Sequence, residues 1–292
     1  MKRLLILPIL LWAFQTPLFA QNAPSVPDTL AGWAQSWEVG LNGSQAAYSN
    51  WSQGGINNIA ATGSSDFRAK YRENRFSYSF QFVSRFGQTR IQDEGVRKTD
   101  DRLALRNRFL YDLEEEDSDF KLFANINFRT QFAEGFNYGA GPEGENILIS
   151  NFFAPAYFSQ NAGLAYVPTD NFSFEAGLGL QQTIVSNSEV RQVNRYGVPE
   201  GENFRNEAGV NLALAYSMRL ATNLSWTSSV ETFTNLNKAV SSTDVYILNQ
   251  ITGRINSFMN ASLRLDLVYD DDFSKEIQVA QVLSLGVSFI LI

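Results

Sequence analysis

The stretch IQVAQVLSLGVSFILI, residues 277–292, decides the fold class of this chain. Alternate residues are large and apolar, namely Leu283, Leu285, Val287, Phe289 and Leu291. The residues of the other face are small or polar, namely Gln278, Ala280, Ser284, Gly286 and Ser288. A period of two is the pattern of a β-strand with two different faces, and this stretch is long for a strand in a soluble domain. Such a strand suits a closed barrel with lipid outside and water inside.

The same two-faced pattern recurs in eleven earlier segments of the chain. Their approximate ranges are 37–49, 59–71, 75–87, 100–113, 119–133, 156–167, 171–185, 204–220, 222–236, 243–256 and 258–270. Charged residues fall opposite the large apolar residues in almost every segment, although segment 222–236 is weaker and its parity is uncertain. A soluble β-sandwich also alternates, so the periodicity alone does not separate the two architectures.

The lengths of the linkers favour a membrane barrel. The predicted linkers after segments two, six, eight and ten are short, whereas those at 88–99, 134–155 and 186–203 are long. Short turns on one rim and long loops on the other are typical of outer-membrane barrels. We therefore predict an all-β fold, a transmembrane, antiparallel, up-and-down β-barrel of about twelve strands, with ten or fourteen strands as alternatives.

The first twenty residues are expected to be a secretory signal peptide. A positive start at Lys2 and Arg3 precedes an apolar run over residues 4–14, and Ala20 is a plausible cleavage point. The apolar run falls short of the ~20 residues that a membrane-spanning helix needs. The predicted organisation is a signal peptide (1–20), a periplasmic lead-in (21–35) and an outer-membrane β-barrel (36–292), in a protein exported to the Gram-negative outer membrane.

Composition and charge exclude several classes of function. The chain contains no His, so every mechanism that needs an imidazole base, nucleophile or metal ligand is excluded. A net charge of −7 argues against a nucleic-acid partner. The acidic runs at 114–117 and 270–272 lack the glycine and the spacing of an EF-hand, and a solvated turn is the favoured interpretation. We predict a protein that is not an enzyme and that has no cofactor and no metal site.

The predicted lumen faces of segments two to five form a basic wall. Its members are Arg68, Lys70, Arg85, Arg102, Arg106, Arg108, Lys121 and Arg129. The rest of the interior is mixed, and its predicted counter-charges are Glu175, Glu207 and Asp266. Two interpretations stay open. Either the wall selects anionic solutes, or the charges pair across the lumen and fill it, because twelve strands lie between filled eight-stranded and open sixteen-stranded barrels.

Four motifs resemble those of a known family. They are NWSQGGIN (50–57), KTDDRLAL (98–105), NFRTQF (127–132) and SNFFAPAY (150–157). In this order they resemble a Bacteroidetes family of uncharacterised outer-membrane barrels, known only as a domain of unknown function, over roughly residues 37–271. The resemblance implies a barrel fold and an outer-membrane location, and it implies no substrate.

The leading hypothesis for function is a porin-like passage of small solutes, anionic ones included, through a basic-walled lumen. The alternative is a structural or assembly barrel with a salt-bridged, closed lumen that presents surface loops to a partner. The expected partners are outer-membrane lipid, lipopolysaccharide and the barrel-assembly machinery, with the oligomeric state left open. Because the lumen face of residues 277–292 is small and uncharged, we expect any open path to run beside this strand.

Overall fold

A computed structural model describes residues 25–46, 57–114, 118–193, 196–270 and 274–292. The predicted signal peptide lies outside the described residues. So do seven of the eight residues of NWSQGGIN and the acidic residues 115–117, 271 and 272.

Twelve antiparallel strands form one closed barrel, as predicted. The first five are β1 (Gly32–Ala46), β2 (Asn58–Glu73), β3 (Phe76–Ile91), β4 (Gly95–Asp112) and β5 (Phe120–Thr130). The other seven are β8 (Ala156–Thr169), β9 (Phe172–Ile184), β10 (Phe204–Ala221), β11 (Leu224–Asn235), β12 (Asp244–Arg254), β13 (Met259–Asp270) and β14 (Ser274–Ile290). Each strand pairs with the next one in the barrel, and β14 pairs with β1 to close it.

The remaining short elements lie in the loops. The strands β6 (Gly135–Asn137) and β7 (Ile147–Ser150) form a separate two-stranded sheet between β5 and β8. The helix α1 (Ser188–Val193) lies between β9 and β10, and a 3-10 turn (Val240–Ser242) lies between β11 and β12. Within the described part of the chain, no helix is both long enough and apolar enough to cross a membrane.

Two predicted boundaries differ from the structure. The linker expected at 88–99 is largely strand, because β3 continues to Ile91 and β4 starts at Gly95, so that only residues 92–94 form the turn. The sequence of this hairpin is polar on both faces, and an alternation of apolar and polar residues is therefore absent. The barrel also begins at Gly32, four residues before the predicted start at residue 36.

The strand pairing separates an apolar exterior from a polar interior. Leu263 and Leu283 lie opposite each other on β13 and β14, and both side chains are exposed on the outer surface. One residue away, the hydroxyls of Ser262 and Ser284 face the lumen and are hydrogen-bonded at 2.7 Å. Since successive strand residues point to opposite faces, a shift by one residue would invert the whole pattern.

Aromatic rings gather on the outer surface near both rims. At the short-turn rim, ring centroids of Trp33 and Tyr71 are 4.9 Å apart, and those of Phe120 and Tyr166 are 5.0 Å apart. At the long-loop rim, Phe128 lies 5.4 Å from Phe153. The exterior therefore has aromatic side chains near both rims.

The loops at the long-loop rim pack into a compact cap. Its buried apolar residues come from residues 131–155 and 185–203, and they are Ala154, Val185, Val190, Tyr196 and Val198. The hydroxyl of Tyr196 donates a hydrogen bond of 2.6 Å to the carbonyl oxygen of Ile149, which joins the two loops. The cap is thus held by its own small core and by backbone hydrogen bonding.

Candidate functional site

The strand register places all eight residues of the predicted basic wall on the lumen face. Across β3 and β4, for example, Arg85 lies opposite Arg102 and Gln81 lies opposite Arg106, while the outward Phe82 lies opposite Leu105. The same parity continues through β2 and β5. The wall is divided into three levels, which differ in how the charges are compensated.

At the short-turn end, Arg72 and Lys121 are paired with carboxylates. The Asp112 carboxylate accepts hydrogen bonds from Lys121 Nζ at 2.6 Å and from Arg72 Nη2 at 3.0 Å. Asp28, from the predicted lead-in, reaches into this mouth and lies 3.0 Å from Arg72 Nη1 and 3.8 Å from Lys121 Nζ. Two cations therefore share two carboxylates, and the N-terminal segment contributes one of them.

At the middle level, a buried ion pair spans part of the lumen. Arg108 Nε donates a hydrogen bond of 2.8 Å to Glu175 Oε1, and Asn125 Nδ2 donates one of 2.8 Å to Glu175 Oε2. Arg108 is on β4 and Glu175 is on β9, so the pair reaches past β5 and β8. Nearby, Asn211 Nδ2 donates to Glu231 Oε1 at 3.1 Å. These side chains fill the interior at this level.

Toward the long-loop end, the lumen face carries a group of arginines. Five guanidinium groups lie close enough to act on one another, and we call them the arginine cluster: Arg85, Arg102, Arg106, Arg129 and Arg264. Arg85 Nε is 3.1 Å from Asp100 Oδ2, and Arg264 Nη2 is 2.6 Å from Asp266 Oδ2.

The other three members of the cluster differ in their contacts. Arg106 Nη1 donates to Gln81 Oε1 at 2.9 Å, and the Arg129 guanidinium lies 4.4 Å from the centroid of the Tyr157 ring. Arg102 is 8% exposed and has neither a hydrogen-bond nor a carboxylate partner among the described residues. Within the cluster, Arg102 therefore carries a charge that no carboxylate of the described residues contacts.

The three predicted counter-charges each pair with a cation, but they do so in different ways. Glu175 does pair with the basic wall, through Arg108. Asp266 pairs with Arg264 on its own strand, and Glu207 pairs with Arg205 at 3.1 Å and Lys238 at 3.6 Å. The remaining members of the basic wall are partly exposed: Arg68, which is paired with Asp66 at 2.6 Å, and Lys70.

One side of the lumen is much more accessible to solvent than the other. On β4, the lumen-facing side chains from Arg102 to Asp112 are all buried. On β1, the lumen-facing Ala34, Glu38 and Ser44 are exposed. On β14, the lumen-facing Val282 is 52% exposed. The more accessible side of the lumen, which we call the open side, thus lies along β14, β1 and β2.

Small residues line this open side at the level of the arginine cluster. We call them the small-residue strip: Gly40, Asn42, Thr62, Ser64, Ser284 and Gly286. Ser64 lies directly opposite Arg85, and Val282 lies directly opposite Arg264, so the strip is flanked on both sides by members of the cluster. Arginine side chains and a wall of small side chains therefore face the same space.

Sequence reasoning missed several of the pairing carboxylates. Asp66 is two residues from Arg68, and Asp112 is four residues from Arg108. Because an even spacing places two strand residues on the same face, this spacing could have predicted both carboxylates on the lumen face. Asp28 precedes the first strand and gives no periodic signal. In the described ranges, no group of three or more Asp or Glu residues is arranged to hold a metal ion.

The comparison with family models agrees with the predicted family resemblance. The model of a family described as "Protein of unknown function (DUF3078)" matches residues 44–136, a range that contains three of the four motifs. No curated protein matches the sequence.

The chain also has distant similarity to several solved structures. An outer membrane channel from Pseudomonas putida F1 is 11% identical, with a TM-score of 0.41, over 92% of this chain and 97% of that one. The translocator domain of the autotransporter NalP from Neisseria meningitidis is 11% identical, with a TM-score of 0.38, over 88% and 87%. The KdgM porin in complex with disordered oligogalacturonate is 8% identical, with a TM-score of 0.34, over 88% and 98%. A channel, a translocator and a porin do not single out one function for this chain.

Proposed function

We propose that this protein is an outer-membrane β-barrel through which small anionic solutes pass, along a narrow path between the small-residue strip and the arginine cluster. The observation that carries the proposal is the division of the lumen: the interior is filled on one side, and the solvent-accessible side is flanked by arginines.

The exterior supports a membrane location. Phe158 and Tyr166 lie eight residues apart on the outer face of β8, near opposite rims. Eight residues span about 27 Å along a strand, or about 20 Å of height at a tilt of ~40°. This height is close to the apolar band of outer-membrane barrels, which is about 25 Å tall and is bordered by aromatic residues.

The filled part of the lumen limits the size of the solute. The ion pair of Arg108 with Glu175 and the network around Asp112 occupy the interior along β4, β5 and β9. Only the side along β14, β1 and β2 is left for passage, so we expect a path for ions and small molecules.

Electrostatics favour anions at the level of the cluster. A partly desolvated site with excess guanidinium charge lowers the energy of an anion and raises that of a cation. Closer to the short-turn rim than the cluster, the exposed Glu38 faces the same space as the ion pair of Arg68 with Asp66. The positive potential is therefore greatest beside the small-residue strip, and we expect selectivity to be set there.

Conductance in planar bilayers tests the proposal. The refolded protein is inserted in a bilayer that separates two different KCl concentrations. The sign of the reversal potential is expected to show that chloride passes more easily than potassium. The double variant Arg85→Gln and Arg264→Gln is expected to lose most of that preference. The matched control is Arg219→Gln, which removes an exposed lumen-facing cation at the short-turn rim. A reversal potential that indicates cation preference, or the same reversal potential in the double variant as in the wild type, would contradict the proposal.

A second function is favoured by the cap. The packed core around Val190 and Tyr196 gives the long loops a defined shape, which suits a barrel that presents a surface to a partner. Folded protein that inserts into bilayers and conducts no ions would favour this structural role over passage.

A further inference from the structure

The starting observation is a buried arginine whose charge has no compensation. Arg102 is 8% exposed and faces the lumen from β4. Neither a carboxylate nor a hydrogen-bond acceptor contacts its guanidinium in the part of the chain that the structure describes. Burying an unpaired charge is costly, and natural proteins nearly always compensate such a charge with a partner or a ligand.

The neighbours of Arg102 increase that cost. Arg85 lies directly opposite it on β3, and like charges at directly opposed positions destabilise a sheet. The charges of Arg106, Arg129 and Arg264 also act on Arg102. Asp100 and Asp266 each pair with a different member of the cluster, Arg85 and Arg264. The surroundings of Arg102 are therefore complementary to an anion.

The site can be reached from the accessible side of the lumen. Ser64, Arg85 and Arg102 lie at one level on three successive strands. Ser64 belongs to the small-residue strip, and Arg85 is partly exposed. An anion that enters beside the strip therefore meets Arg85 first and Arg102 next.

We propose that the arginine cluster is a binding site for a small inorganic oxyanion, such as phosphate or sulfate, held mainly by Arg102. This inference rests on the proposed function in one respect, since the anion would reach the site by the same path. A guanidinium group presents several N–H donors in a planar fork that matches two oxygens of an oxyanion. Chloride offers one acceptor atom and a single charge to the fork, so the site should prefer oxyanions of higher charge.

Thermal unfolding in detergent gives the first test. Without added oxyanion, Arg102→Gln is expected to raise the Tm, because the variant removes an uncompensated buried charge. Inorganic phosphate and sulfate are expected to raise the Tm of the wild type more than chloride at equal ionic strength. They should leave the Tm of the variant nearly unchanged. If phosphate raised the Tm of the variant as much as that of the wild type, the proposed site would be wrong.

Direct binding gives the second test. Isothermal titration of the refolded barrel with phosphate is expected to show affinity that falls at least about tenfold in Arg102→Gln, the loss expected for charge-assisted hydrogen bonds. Arg102→Lys keeps the charge and removes the fork, so its phosphate affinity should also fall. Arg219→Gln is the matched control and should bind phosphate as the wild type does.

The two proposals fail in different ways. If the barrel conducts anions selectively but does not bind phosphate, the proposal of an oxyanion site is wrong and the proposal of a passage stands. If phosphate binding depends on Arg102 but the barrel conducts no ions, the proposal of a passage is wrong and the proposal of an oxyanion site stands.

Discussion

Replacing Glu175 by Gln should destabilise the barrel strongly. Its carboxylate is fully buried and accepts hydrogen bonds of 2.8 Å from both Arg108 and Asn125. Breaking a buried ion pair by removing one partner costs about 3–5 kcal/mol, because the other charge stays buried without compensation. Gln keeps the volume of Glu and can still accept one hydrogen bond, so we expect about 3 kcal/mol. This is a large part of the ~5–15 kcal/mol that holds a typical domain folded.

Urea unfolding, followed by tryptophan fluorescence in detergent, measures this loss. Glu143→Gln is the matched control, since Glu143 is exposed in the loop between β6 and β7, and we expect a change within about 0.5 kcal/mol. Combining Arg108→Met with Glu175→Leu should restore most of the stability, because an apolar pair leaves no charge behind. A loss below about 1 kcal/mol in Glu175→Gln alone would refute the reasoning.

Three further predictions test the packing, the N-terminal segment and the exterior. Gly163→Ala should lower the free energy of unfolding in urea by at least about 2 kcal/mol, because the new Cβ would lie 2.2 Å from a backbone oxygen of β9. The control is Gly63→Ala, whose new Cβ would meet no atom within 4 Å and which should be nearly neutral. Asp28→Asn should speed protease cleavage of the N-terminal segment, since it weakens two ion pairs with buried lumen cations. Leu283→Arg should cost about 2–4 kcal/mol in vesicles and clearly more than Ser284→Arg, which places the same charge in the lumen.

The strands of the barrel could be predicted because each residue has only two choices of face. Where one face meets lipid, as at Leu263 and Leu283, large apolar side chains mark that face throughout the strand. The hairpin around residues 92–94 could not be predicted in this way, because the method needs one apolar face. Both of its faces are polar, so its sequence gives no alternation even though its pairing is regular from Gln88 to Ile91.

The candidate site could be predicted only in part. Parity placed the eight cations on the lumen face, but it does not give the height of a residue in the barrel. That height depends on the stagger between strands. Arg108 and Glu175 meet although they are 67 residues apart, and neither sequence distance nor loop length indicates this contact. Asp28 lies outside any strand, so its position in the mouth depends on tertiary contacts alone.

The seam between β14 and β1 shows why the open side lies where it does. The ladder of β1 with β14 covers Glu38–Asn42 and is extended by backbone hydrogen bonds between Trp37 and residues 291 and 292, whereas β1 pairs with β2 along its whole length. Across the seam, a Cβ on Gly286 would lie 1.7 Å from Oδ1 of Asn42 on β1. On the other side of β1, a Cβ on Gly40 would lie 2.8 Å from Oγ of Ser64 on β2. Both positions therefore need glycine, because the side chains of Asn42 and Ser64 occupy the space that a Cβ would take. Since Gly40 and Gly286 have no side chain to project into the lumen, the wall at these positions is less crowded than the wall of β3 and β4, which carries Arg85, Arg102 and Arg106.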